Sequence, residues 1–118
     1  MKNRLPVSKF HDELVVNSIN LHKELQIQMP HDTWISNLFQ KYQFRIGYDY
    51  VIFDQSGSYE LYICTASSIT LAERTKLGIK IRRYLQWFLK EYEKRITQLL
   101  MELNDKAAQK GGHRDGTF

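Results

Sequence analysis

Four histidines, His11, His22, His31 and His113, are the side chains best suited to proton transfer or metal ligation, and Cys64 is the one thiol. No two of these histidines stand four apart, the spacing that sets two imidazoles on one face of a helix around zinc. A metal site is not expected. Nucleophilic catalysis needs a serine or cysteine beside a histidine with an acid to orient it, and a local signature such as G-x-S-x-G does not occur. His22, on a predicted short helix, reads as a packed or hydrogen-bonded side chain. The expectation is a protein that is not an enzyme and carries no cofactor. One cysteine excludes an internal disulfide and a thiolate zinc site, and it suits a reducing cytoplasm.

Charge offers more than catalysis does. Seventeen Lys and Arg against thirteen Asp and Glu leave +4, a mild basic excess. Arg74, Lys76, Lys80, Arg82 and Arg83 cluster at the start of a long helical pattern, with Lys76, Lys80 and Arg83 on one face at i, i+4 and i+7. Such a face can meet phosphates or an acidic partner, and it can equally be the solvated side of an amphipathic helix. Further along the same pattern, Phe88, Tyr92, Ile96, Leu99 and Leu103 continue an apolar stripe that begins at Leu77, Ile81 and Leu85. A chain this short has too little other surface to cover the far end of that stripe. The far end is therefore expected to serve self-association into a dimer or larger assembly, or to bind a partner. Glu91 with Arg95 and Glu102 with Lys106 are spaced as i, i+4 pairs, as in an oligomerisation helix, although the spacing of the stripe is not a strict heptad.

The stretch KYQFRIGYDYVIF, Lys41 to Phe53, holds five aromatics around one glycine and one aspartate. A base-stacking platform would alternate aromatics along an exposed strand with cations between them, and Arg45 is the only cation in its middle. The stretch reads better as a corner where a helix gives way to a sheet. Gly47 permits a positive φ, Asp49 bonds backbone N–H groups, and Tyr42, Phe44 and Tyr50 fill the angle.

The elements around these residues follow from period and punctuation. Leu5–Phe10 and Glu13–Asn17 flank His11-Asp12 as a small hairpin. Ser18 caps a short helix from Ile19 that must stop near Met29-Pro30. Asp32 or Thr33 caps a second helix, from Trp34 to about Tyr42, with Trp34, Ile35, Leu38, Phe39 and Tyr42 on one face. Tyr50–Phe53 and Tyr59–Cys64 form a second hairpin, 66–74 a short helix, and the long helix begins near Lys76, with Gly78 weakening its start. This is an α+β fold: a small single domain with two short β-hairpins, short helices and a long C-terminal helix. Its expected extent is residues 1–108, followed by a disordered tail over 109–118. With 42% hydrophobic and 25% charged residues, wholesale disorder is not expected. No run reaches the roughly 18 apolar residues of a membrane span, and the N-terminus lacks a signal-peptide core.

Several short motifs follow one another along the chain: Val16-Asn17 with Leu21-His22, then Thr33-Trp34-Ile35, then Lys41-Tyr42-x-Phe44-x-x-Gly47-x-Asp49-Tyr50-Val51, then Glu73-Arg74-Thr75-Lys76-x-Gly78 and Arg82-Arg83-Tyr84. Their order and spacing resemble the AntA/AntB antirepressor family of bacteriophages and prophages. The resemblance covers about residues 14–95. It implies a phage regulator that binds a transcriptional repressor and relieves repression of lytic genes in the cytoplasm of a bacterial host. The partner would be that repressor, with DNA as a possible second ligand, because such domains are commonly proposed to bind DNA. A DNA-binding transcriptional regulator using the basic helix is the alternative. The chain departs from the family pattern at Ser18-Ile19-Asn20, where Ala-Arg-Glu is usual, and at His31, where an aromatic is usual. Ser56-Gly57-Ser58 replaces a Gly-Arg-Pro loop, and Ser68–Ala72 replaces a Met-Ala-Lys helix. No further module follows, so a stand-alone domain is expected.

Overall fold

β1 (Ser8–Phe10) and β2 (Glu13–Asn17) pair antiparallel with Ser8 opposite Val15 and Phe10 opposite Glu13 in a computed structural model that describes residues 5–52 and 54–111, the side chains of 108–111 excepted. Their turn is His11-Asp12, both at positive φ (49° and 68°), the backbone twist that matches a two-residue hairpin. β3 (Tyr50–Val51) and β4 (Glu60–Tyr62) form the second hairpin, with Tyr50 opposite Leu61. The two hairpins join edge to edge: Val15, Val16 and Asn17 of β2 face Tyr62, Leu61 and Glu60 of β4. The result is one antiparallel sheet in the order β1-β2-β4-β3. Leu14, Val15, Val16 and Leu61 are buried, which is why these central strands carry apolar runs.

The second hairpin is shorter than its apolar run. Ile63 and Cys64, expected in the strand, are the first turn of α3 (Ile63–Glu73), and Phe53 lies outside the described residues. Ile63, Thr65, Ala66, Ile69 and Thr70 of α3 are buried, and α3 packs on β2 and β4. A helix whose buried face includes its first residue carries an apolar side chain directly after the strand, and such a start resembles more strand in sequence.

α1 (Ser18–Glu24) is capped by Asn17, whose side-chain oxygen accepts from Ile19 N at 3.0 Å and Asn20 N at 3.3 Å. Ser18, the expected cap, is instead its first helical residue, because its hydroxyl is committed elsewhere. The helix also stops well before Pro30. Gln26 takes the left-handed conformation (φ 56°), Gln26 N bonds Lys23 O, and Ile27 N bonds His22 O, which together close the helix as a Schellman motif. α2 (His31–Tyr42) starts from Pro30 with no side-chain cap, so neither Asp32 nor Thr33 has the expected role. Asp32 still sits in the first turn, where its charge suits the helix dipole. Trp34, Ile35 and Leu38 are buried on the face that the periodicity predicts, but the face ends there: Phe39 is half-buried and Tyr42, expected on it, is exposed at the last turn of α2.

α4 (Lys76–Gly111) begins at a tight junction. Arg74 closes α3 in the left-handed conformation (φ 55°), and Thr75 Oγ1 accepts from Gly78 N at 2.9 Å. Gly78 is there for proximity: a Cβ on it would lie 2.8 Å from the Thr70 carbonyl oxygen. The first turns of α4 thereby reach the core, where Ile81 and Leu85 are buried and Tyr84 O–H donates to Leu5 O at 3.0 Å. The chain divides after Gln86 into two compact units, and the described part of the second is the remainder of α4. Residues 109–111 belong to α4, and the rest of the expected tail, 112–118, lies outside the described residues.

Helix propensity favours alanine over glycine by about 1 kcal/mol, but contact with a backbone carbonyl cannot be relieved by rotating a side chain. Gly78→Ala is therefore expected to lower stability by about 1–3 kcal/mol in denaturant unfolding. A gain in stability would show that α3 and α4 can separate without cost.

Candidate functional site

The first cluster with chemical potential joins two loops and two helices. Ser18 Oγ lies 2.8 Å from His31 Nε2, and His31 Nδ1 lies 2.9 Å from Asp32 Oδ1. That is the connectivity of a serine–histidine–aspartate triad, assembled across thirteen residues where no local motif announces it. Ser18 is 0% exposed, however, and its Oγ accepts from Tyr59 N at 2.9 Å while Ser18 N donates to Tyr59 O at 2.8 Å. One proton arrangement satisfies the set: Tyr59 N–H to Ser18 Oγ, Ser18 O–H to His31 Nε2, and His31 Nδ1–H to Asp32. A buried hydroxyl so occupied is a latch and not a nucleophile. His22 is hydrogen-bonded as expected, donating from Nε2 to Met29 O at 2.7 Å, with its ring against Trp34 and His31. Trp34 Nε1–H donates to Glu73 at 3.2 Å, tying α2 to the end of α3.

The second cluster is the corner between α2 and β3. Gly47 has φ 86° and donates to Tyr50 O, while Asp49 Oδ2 accepts from Arg45 N at 2.8 Å. Inside the corner, Phe39 stacks on Tyr50 at 4.2 Å and meets Tyr59 and Phe44 edge to face. This is aromatic filling. Tyr42, expected to fill the angle with Phe44 and Tyr50, lies outside it instead, because it ends α2 on the solvent side; Tyr42, Ile46 and Tyr48 are all exposed, Tyr48 by 72%. Arg45 lies over the Tyr48 ring at 4.5 Å, and Lys41 over Tyr42 at 5.4 Å. The corner thus presents an apolar patch with two cations already engaged on its rings.

The third is the basic start of α4. Arg74, Lys76, Lys80 and Arg83 are exposed, and the spacing of Lys76, Lys80 and Arg83 sets them on one helix face. Arg82 differs from the other four. It is half-buried, and its Nε is buried with no hydrogen-bond partner among the described residues.

The fourth is the far part of α4. Phe88 and Tyr92 are half-buried, and Phe88 meets Trp87 edge to face at 6.1 Å. Ile96, Leu99 and Leu103 are exposed, as are Leu100 and Met101. The expected pairs Glu91–Arg95 and Glu102–Lys106 do not form. Glu91 instead holds Lys94 at 3.6 Å, one residue closer in sequence.

Among the described residues no group of histidine, cysteine and carboxylate side chains could hold a metal, and no helix is long and apolar enough to cross a membrane. No family model, no curated protein and no solved structure matches this chain.

Two predictions follow from the inner clusters. Ser18→Ala leaves the Tyr59 N–H and His31 Nε2 unpaired, so it should cost about 1–3 kcal/mol in stability. Asp32→Ala removes a group whose side chain is 90% exposed and should cost well under half as much. Equal losses would show that the exposed end of the chain, and not the buried hydroxyl, carries the energy. Burial pushes the Tyr50 phenol above its ordinary value, with Tyr59 and Asp49 adding to the effect. A raised folded pKa means this stabilisation is complete below about pH 10 and is lost as pH rises through the folded value. Denaturant midpoints should therefore fall above about pH 10, and Tyr50→Phe, which keeps the stack on Phe39, should flatten that fall.

Proposed function

We propose that this protein is a phage-type antirepressor that binds a transcriptional repressor through the exposed corner of Tyr42, Ile46 and Tyr48 and so relieves repression of lytic genes. The observation that carries the reading is the make-up of that corner: exposed aromatic and aliphatic side chains rimmed by Lys41 and Arg45. Tyrosine and arginine around an apolar centre are the residues that concentrate binding energy at protein interfaces. Tyr48 and Tyr42 each have a cation over the ring, which leaves less aromatic face for a nucleic-acid base.

The motif resemblance to AntA/AntB antirepressors supplies the biological class, and most of its residues hold the fold. Asn17 caps α1, Trp34 bonds Glu73, Gly47 and Asp49 close the corner, and Gly78 admits α4. The departures at Ser18 and His31 are hydrogen-bonded to each other, so they read as one joint replacement inside the same framework. A net charge of +4 is opposite to that of a DNA mimic. The repressor is therefore taken off its operator by occlusion, which requires tighter binding to its free form than to its DNA-bound form.

A second reading, DNA-binding regulation, has its own observation in the exposed Lys76, Lys80 and Arg83. If these contact phosphates, Lys80→Ala with Arg83→Ala weakens binding to all DNA sequences and reduces its salt dependence.

Adding the protein to a preformed complex of operator DNA with the repressor encoded in the same genetic element should release free DNA and yield a protein–protein complex. Tyr48→Ala with Arg45→Ala should weaken that release by about 30-fold or more. A protein that binds no repressor and leaves the operator complex intact is not an antirepressor. One that shifts DNA alone, with loss on Lys80→Ala and Arg83→Ala, is the DNA-binding regulator.

A further inference from the structure

From Glu93 to Ala107 every residue of α4 is exposed, including Ile96, Leu99, Leu100, Met101 and Leu103. An isolated helix of that length is marginal in water and does not keep aliphatic side chains in solvent without a partner. The pattern of the apolar residues says what kind. With Leu89 in place of Phe88, the row Leu89, Tyr92, Ile96, Leu99, Leu103 advances by three, four, three and four, a strict heptad seam. Leu89, Ile96 and Leu103 are then a positions, and Tyr92 and Leu99 are d positions. Lys90, Lys94, Thr97 and Gln98 fall on the outward side. A seam of this period fits another helix of the same pitch, and a second copy of this chain supplies one.

Charge sets the direction of that copy. The g positions flanking the seam are Arg95 and Glu102, and neither has an ion-pair partner among the described residues. An antiparallel pairing that sets Ile96 against Leu99 of the second copy also sets Tyr92 against Leu103. In the same register it places Arg95 beside Glu102 of the other chain, twice by symmetry. Leu89 meets Lys106, whose apolar stem can cover it while the ammonium reaches water. A parallel pairing sets Arg95 against Leu100 and Glu102 against Ala107 and makes neither ion pair.

We infer that residues 89–106 form an antiparallel two-stranded coiled coil between two copies of this chain, with Ile96 and Leu99 at its centre and reciprocal Arg95–Glu102 pairs on its flanks.

Light scattering of the full chain should give twice the 14.1 kDa monomer mass. In a Cys64→Ser background, mixing Tyr92→Cys chains with Leu103→Cys chains and adding a short bismaleimide should give a mixed cross-linked dimer. Leu103→Cys alone should not cross-link to itself. Arg95→Glu should weaken dimerisation by about tenfold or more, since two attractive pairs become repulsive, and Arg95→Glu with Glu102→Arg should restore it. A monomer at tens of micromolar, self-cross-linking of Leu103→Cys, or failure of the charge-swapped variant to recover each overturns the inference. Recovery in the swapped variant also separates lost pairing from lost folding.

Discussion

The Ser18 hydroxyl is the constraint from which the rest of the first unit follows. It accepts from Tyr59, just before β4, and lies within hydrogen-bond reach of His31 at the start of α2, while its own backbone N–H answers the Tyr59 carbonyl. One fully buried atom thus ties the two hairpins, α1 and α2. Buried polar atoms in this position must be satisfied together, because each partner left alone in a low-dielectric interior costs more than a single bond returns. Ser18 is buried as completely as the core residues Leu21 and Leu61, so those bonds are made away from water.

With the latch in place, the corner between α2 and β3 has little freedom. Phe39, Tyr50 and Tyr59 fill its inside, and Tyr59 is the residue whose backbone Ser18 holds. The outer aromatics, Tyr42 and Tyr48, thereby sit on a packed and hydrogen-bonded support, and preorganisation of that kind lowers the ordering cost of an interface. The fold and the proposed repressor contact are therefore two sides of one aromatic turn.

What could be read in advance was what depends on neighbours in sequence. The His11-Asp12 turn, the buried face of Trp34, Ile35 and Leu38, the hinge at Gly47 and Asp49, and the long helix are all local patterns, and the structure has each of them. What escaped depends on contacts across the fold. Ser18 looks like a helix cap until Tyr59 and His31 claim its hydroxyl. Ile63 and Cys64 look like strand because they continue the apolar run of β4, and Ile63 is buried as the first residue of α3. α1 and α2 end at Gln26 and Gln43 in left-handed geometry, where glycine would have given a signal. Gly78 reads as a weak helix former until the Thr70 carbonyl appears beside it. Arg82 groups with its basic neighbours by spacing, which does not show that its Nε is buried.

The central claim is that the aromatic corner, held from within by Ser18, is the face that meets a repressor. Hydrogen–deuterium exchange of this protein, free and mixed with that repressor, tests it most directly. The account predicts slowed exchange over residues 41–50 on complex formation, with Lys76–Arg83 unchanged. Slowed exchange over Lys76–Arg83 on adding operator DNA alone, with 41–50 unaffected by the repressor, would contradict it.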